Sequence, residues 1–295
     1  MTAAGVLPCA GEPTHDGGIM IADPARAEDL ARSWRRDLQA WAIPDEILAQ
    51  AEESPWGHPV AMFEAPDAIP DSPSHARARE ALPPEGTVLD VGCGGGRAGL
   101  ALVPGPSTII GVDESENMLA SFRAACERRQ VAHVEVPGRW PDVDAPNADV
   151  VVCHHVLFNV PDIVPFLIAL DAHARRRVVI EIPWQHPQSP WNELWQEFWG
   201  LTRPTVPVAG DVVEIARALG FAPQAERWSD PTWGARVRLP DEERARYARI
   251  RLCLSSDREA EVAAALRPES SPRDMLTISW DHGPGPSIVS RRDSP

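Results

Sequence analysis

Lysine is missing altogether: the 28 basic residues of the chain are all arginine. That excludes any mechanism that needs a lysine amine. Cysteine is scarce, with Cys9, Cys93, Cys126, Cys153 and Cys253 making an odd count and no CxxC pair. Neither a disulfide framework nor a zinc site is expected, no other metal is implied, and the pattern fits a reducing cytoplasm. No apolar run reaches about 18 residues, so no membrane span or membrane partner is predicted. Met1 to Ala10 lacks a basic stretch followed by an apolar one, which predicts no secretory signal. Positive charge is also in deficit. The formal net charge is −15, a field that repels a phosphate backbone, so a nucleic-acid partner is not expected.

The chain has 295 residues, enough for one large α/β domain with insertions or two small ones. Residues 1–24 are rich in Gly, Pro and Asp without periodicity and read as a disordered tail, as do residues 283–295. Residues 25–74 read as a helical cap, with Leu30, Trp34, Leu38 and Trp41 at helical spacing. A second short helix is expected from Pro44 to Ala51, then a proline-broken loop anchored by Trp56, His58 and Phe63. From residue 75 to 282 the pattern alternates. Strands are predicted at 87–91, 108–113, 132–136, 148–153 and 177–182, with helices between them over 97–102, 116–129 and 162–175. Such alternation implies βαβ units and a parallel sheet. Within it lie an aromatic-rich insertion at 183–210 and a charged helical one at 236–270. A helix from Asp211 to Gly220 and strands at 224–228 and 275–280 complete the pattern.

The strongest local signal is a strand, then Asp90-Val91-Gly92-Cys93-Gly94-Gly95-Gly96, then a helix. Glycines admit torsions forbidden to other residues and remove the Cβ that would block a ligand. The helix N-terminus beyond supplies unpaired N–H groups. Asp113 ends the next strand at the spacing of an acid that binds ribose hydroxyls. A tight structural turn is the bland alternative.

At these residues the chain resembles the class I S-adenosylmethionine-dependent methyltransferases. Val88 to Gly96 is similar to that family's first motif, Gly111 to Leu119 to its second, and Asn147 to Leu157 to its fourth-strand motif. Val213 to Phe221 is similar to the helix before its sixth strand, so the resemblance spans about residues 75–228 plus the last strand. It implies a three-layer Rossmann-like sheet of seven mostly parallel strands, the last antiparallel, with an N-terminal helical cap and insertions after strands 5 and 6. It implies S-adenosylmethionine as cofactor. Gly92, Cys93, Gly94 and Gly96 would form the cofactor loop, and Asp90 would organise it. Asp113 would hold the ribose, with Glu114, Ser115 and Met118 beside ribose and adenine, and His154 beside the methionine part. Many members place an Asp after the third strand to accept from adenine. This chain has Gly138-Arg139-Trp140, and Arg139 has no acceptor in its side chain. Backbone at Arg139 or Trp140, or the Trp140 ring, would serve instead, unless Trp140 is simply core.

Methyl transfer asks little of a protein beyond holding an acceptor in line, about 3 Å from an already activated methyl carbon. Oxygen and nitrogen acceptors also need a base. The candidates are His154, His155, His186 and Glu181, each with a structural alternative. Trp191, Trp195 and Trp199 share a helix face that is either a pocket wall or a packing surface. The arginines 236, 238, 244, 246, 249 and 251 read as a solvated helix face, with a grip on an anion as the alternative. The expected acceptor is a small molecule, hydrophobic or aromatic. RNA or protein methylation and a non-catalytic cofactor-binding scaffold are the competing readings.

Overall fold

The computed structural model describes residues 21–56, 62–232, 240–266 and 272–283. The tail at 1–20, the tail beyond 283, His58, Arg236 and Arg238 lie outside them. In chain order the elements are α1 (Pro24–Gln39), α2 (Asp45–Leu48), α3 (Pro73–Ala81), β1 (Thr87–Val91), α4 (Arg97–Leu100), β2 (Thr108–Asp113), α5 (Glu116–Arg128) and β3 (Ala132–Pro137). Then follow β4 (Ala148–His154), α6 (Ile163–His173), β5 (Ala174–Pro183), α7 (Asn192–Trp199), α8 (Ala209–Ala218), β6 (Gln224–Asp230), α9 (Asp241–Arg251), α10 (Glu259–Ala265) and β7 (Arg273–Asp281).

The strands form a 7-stranded sheet in the order β3-β2-β1-β4-β5-β7-β6, with β7 antiparallel to both neighbours and the remaining pairs parallel. The order reverses between β1 and β4, which opens a crevice above their carboxyl ends. Side-chain parity assigns the two faces. Leu89, Val91, Val151, Cys153, Val178 and Ile180 pack on one side with α1, α6 and α8. Val88, Val150, Val152 and Val179 point the other way onto Ala78, Ala81, Ala98 and Leu102. Strands buried on both faces lose the polar alternation of a half-exposed sheet, as the apolar runs in β1, β4 and β5 show.

β5 begins at Ala174, three residues earlier than its apolar run predicts, and takes over the end of the helix expected over 162–175. Arg175 and Arg176 are exposed there, so the ladder extends past the buried stretch. A second, smaller core lies over the crevice: Ile43 and Ile47 from the cap, Leu194 and Trp195 from α7, and Ala248, Leu252 and Val262 from the helical insertion. α7 therefore packs on other insertions and not on the sheet. Trp34 of α1 is fully buried, donates to the Val160 carbonyl at 2.8 Å and stacks on Phe158, tying the cap to the segment after β4.

The solvated face expected for the arginine cluster fails at two positions. Arg249 is buried and bonds Glu53 at 2.5 Å and Glu259 at 3.2 Å; Arg251 is buried on the Pro55 carbonyl and the Tyr247 hydroxyl. Glu53 and Pro55 lie 196 positions away and Glu259 lies 10 away, beyond the reach of an i, i+4 reading.

Candidate functional site

After β1 the chain turns through Gly92 (φ 70°), Gly94 (φ 51°) and Gly96 (φ 88°), all in the left-handed region. The Gly92 and Cys93 amides both donate to the Val112 carbonyl, at 2.9 and 3.0 Å, locking the loop to β2. A Cβ on Gly92 would stand 2.4 Å from Val156 Cγ2, whereas one on Gly94 would meet only Phe63 Cβ, at 3.7 Å. The main chain at Gly94 is thus open to the space above it. Gly96 differs from the expectation. Its missing Cβ makes room for Phe122, 2.7 Å away, and it does not line the cavity.

A strap from the cap crosses this loop. Glu64 pairs with Gly95, and a Cβ there would lie 2.5 Å from the Phe63 carbonyl oxygen. Arg97 secures the strap by donating to Glu64 O at 2.8 Å and Met62 O at 3.0 Å. Nothing in the local sequence signals this crossing.

Two carboxylates stand under the loop. Asp113 accepts from the Gly94 amide at 2.9 Å and the Ser115 amide at 2.9 Å, one bond to each oxygen. A carboxylate has about four acceptor positions, so it can clamp the loop and still take hydroxyl donors. Asp90 is buried and accepts from the Gly99 amide at 2.8 Å. Burial, and secondarily the Asp113 charge, push it up to about 7 against the opposing Gly99 bond. Glu114, Ser115 and Met118 line the same space, and the Ser115 hydroxyl caps α5 on the Met118 amide. Arg139 is exposed at the rim. Trp140 is a core residue with one edge on the cavity, its ring N–H directed to the Phe166 carbonyl and its face against His173.

At the ends of β4 and β5 the structure gathers His154, His155 and Glu181, and adds His75 from α3, which the sequence does not flag. Glu181 is 2% exposed, and its Oε1 lies 3.2 Å from His155 Nε2. His155 has φ 63°, a left-handed backbone held by its own amide donating to Glu181 O at 2.7 Å. His75 and His154 stack with ring centres 5.5 Å apart. Burial alone would raise the Glu181 carboxyl. The positive field of His154, the His155 hydrogen bond and the more distant His75 outweigh it and hold Glu181 well below its ordinary value.

Beyond this cluster the cavity widens under the insertions. Trp41 stacks on His186 at 4.0 Å, and His186 meets Phe158 edge-on at 5.2 Å. Trp191 faces Tyr247 at 6.3 Å, Trp195 is buried, and Trp199 donates to the Leu252 carbonyl at 2.6 Å. The tryptophan face of α7 is therefore divided: Trp191 and Trp195 reach the cavity, while Trp199 packs on the insertion. All four base candidates, His154, His155, His186 and Glu181, line one continuous cavity of about 2220 Å³. Single-ligand pockets run to roughly 300–1,000 Å³, so this one has room for a cofactor and an acceptor together. Among the described residues no cluster of His, Cys, Asp or Glu is arranged to hold a metal ion, and no helix is long and apolar enough to cross a membrane.

Comparison with known proteins gives three results. Residues 89–180 match a family model described as a methyltransferase domain. No curated protein matches the sequence. Among solved structures the chain is similar to the YcgJ protein of Bacillus subtilis, with 16% identity, a TM-score of 0.49, and coverage of 70% of this chain and 97% of that one. It is similar to magnesium protoporphyrin IX methyltransferase of Synechocystis PCC 6803, with 15% identity, a TM-score of 0.44, and 69% and 77% covered. A cyclopropane-fatty-acyl-phospholipid synthase-like protein of Lactobacillus casei is similar at 14% identity and a TM-score of 0.48, with 75% and 97% covered. The matched segment, 89–180, runs from within β1 through β5 and contains the glycine loop, Asp113 and the β4 histidines. Residues 89–180 therefore carry a methyltransferase domain.

Proposed function

We propose that the chain transfers the methyl group of S-adenosylmethionine to a small molecule held in the outer half of its cavity. The observation that carries this reading is the continuity of the cavity, from the open main chain at Gly94 to an aromatic wall lined by α7 and α9. A concave aromatic wall suits a small acceptor better than a folded RNA or protein, and the net charge of −15 disfavours RNA further.

The residues present fit the cofactor. Gly94 offers bare backbone with open space above it, and Asp113 keeps free acceptor positions for ribose hydroxyls. Asp90 and Asp113 supply negative field to a ligand whose sulfonium and ammonium are positive. Once bound, that cofactor supplies a methyl already activated for transfer. The chain's own part is to orient the acceptor, exclude water and remove a proton. Glu181 Oε1 holds the Nε2 side of His155, fixing the ring against the cavity wall. An imidazole that takes a proton from the acceptor becomes a cation beside a carboxylate that stays ionised, and is stabilised there.

Calorimetry with S-adenosylmethionine and S-adenosylhomocysteine should show one site per chain. Methyl-labelled cofactor should then pass label to a small-molecule extract and not to RNA or protein fractions. Absence of binding to either compound defeats the reading. Label appearing only in RNA or protein moves the activity to those substrates, and binding without any transfer leaves a cofactor-holding scaffold.

A further inference from the structure

The outer half of the cavity carries a buried positive charge that the chain does not neutralise. Arg203 is 7% exposed in a protein of net charge −15, yet among the described residues no carboxylate pairs with it. Its Nη1 donates to the Ala42 carbonyl at 3.0 Å and its Nη2 to the Trp41 carbonyl. The Trp41 and Trp195 rings flank it at 5.5 and 5.0 Å, and Nε meets no acceptor. Burial lowers the basicity of this guanidinium, as expected where solvation has been lost without an ion pair in return. Two carbonyls could be held by a neutral amide at far smaller desolvation cost, so pinning Trp41 and Ala42 does not by itself account for an arginine.

The surroundings point the same way. Arg273 is pushed down to about 10 by burial and donates to the His186 carbonyl at 3.4 Å. His186, between the two, is pushed down to about 3 by burial first and then by the Arg203 and Arg273 charges. It therefore stays neutral and adds an aromatic face instead of a third cation. Among the described lining residues of this half, Arg203, Arg227, Arg244, Arg251 and Arg273 face the carboxylates of Glu193, Glu197 and Asp274. Asp274 is engaged by Arg227 at 2.6 Å. In the inner half the carboxyl groups of Asp90, Asp113, Glu114 and Asp142 outnumber the two arginines, Arg97 and Arg139.

We propose that the acceptor is an aromatic carboxylate, its ring lying among Trp41, His186 and Trp191 and its anion meeting the field of Arg203 and Arg273. The proposal rests on the methyl-transfer reading for the identity of the bound molecule as acceptor. The cavity then holds a cation at one end and an anion at the other, each in a field of the opposite sign.

The test titrates the full-length protein, with and without S-adenosylhomocysteine, against indole-3-acetate and 4-hydroxyphenylacetate and against the corresponding neutral amides. The expected result is that carboxylates bind at least about tenfold more tightly than their amides. Arg203→Gln and Arg273→Gln should each reduce that preference to about threefold or less, with Arg203→Lys retaining most of it. Affinity for S-adenosylhomocysteine and the melting temperature of each variant report that the fold and the inner half survive. Saturation with the carboxylate should also raise the titration midpoint of His186 followed by NMR, because the anion offsets both arginines. No carboxylate binding, equal binding of amides, or a preference that persists in both glutamine variants overturns the proposal. Failure to bind S-adenosylhomocysteine sinks the methyl-transfer reading separately, since the carboxylate preference is also read without it.

Discussion

At its inner end the cavity is lined by main chain, at its outer end by side chains. The glycine loop exposes peptide groups set by β1, β2 and α4, all within a short stretch of sequence. The outer wall draws Trp41 from the cap, Trp191 and Arg203 from one insertion, Tyr247 and Arg251 from the other and Arg273 from the last strand. The inner end is thus fixed by the sheet, which any chain with this fold must build, whereas the outer end depends on packing between insertions. A common cofactor belongs at the first kind of site and a particular acceptor at the second.

The largest effect is expected where the inner end has no freedom. Gly92→Ala places a methyl 2.4 Å from Val156 Cγ2 at φ 70°. It should cost about 2–3 kcal/mol of stability and lower S-adenosylhomocysteine affinity roughly a hundredfold, measured by melting and calorimetry. Asp113→Ala removes the ribose acceptor and the partner of the Gly94 amide. Affinity should fall by roughly 1–3 kcal/mol while carboxylate binding at the outer end is unchanged; a joint loss would erase the distinction between the two ends.

Asp90 sharpens the comparison through pH. Its carboxyl is raised to about 7 from an ordinary 3.8, so between those values the folded chain holds a proton that the unfolded chain has released. Its contribution to stability therefore falls as pH rises through that window. Asp90→Asn removes the dependence and should gain on the order of 4 kcal/mol over the native chain at pH 8 relative to pH 4, in paired denaturant titrations. The same substitution should flatten the rise in cofactor affinity that ionisation of Asp90 brings across pH 7. Glu181→Gln leaves the shape of the histidine cluster but removes its buried charge. Turnover should drop about tenfold, with the acidic limb of the pH profile displaced and cofactor affinity kept. An unchanged profile would return Glu181 to a purely structural role. Trp191→Ala should be mildest, raising the acceptor KM about threefold without touching the cofactor.

Much of the inner end could be read directly from the chain. β1, β2 and their loop are encoded by contiguous residues whose torsional and burial requirements leave few alternatives, and Asp113 follows at a fixed distance. The seven-strand order and the antiparallel last strand also accord with the resemblance. Gly96 shares the loop with Gly92 and Gly94, but its open side faces Phe122. Spacing marks a glycine and not the direction in which its absent Cβ would point. The outer end was hardly legible. Arg203, Arg273, Tyr247 and His75 carry no local motif, and their meaning comes from partners on other elements, 161 and 162 positions away for Arg203 and 87 for Arg273. Arg249 illustrates the same limit, since its hydrogen bond to Glu53 spans 196 positions and reverses an assignment made from helix periodicity.

The strap at 62–66 has a consequence of its own. Because Glu64 pairs with Gly95 and Arg97 grips two of its carbonyls, the floor beneath the cofactor is continuous with a segment that contributes no strand to the main sheet. The glycine turn is therefore held from two directions, by β2 through the Val112 carbonyl and by the strap through Gly95.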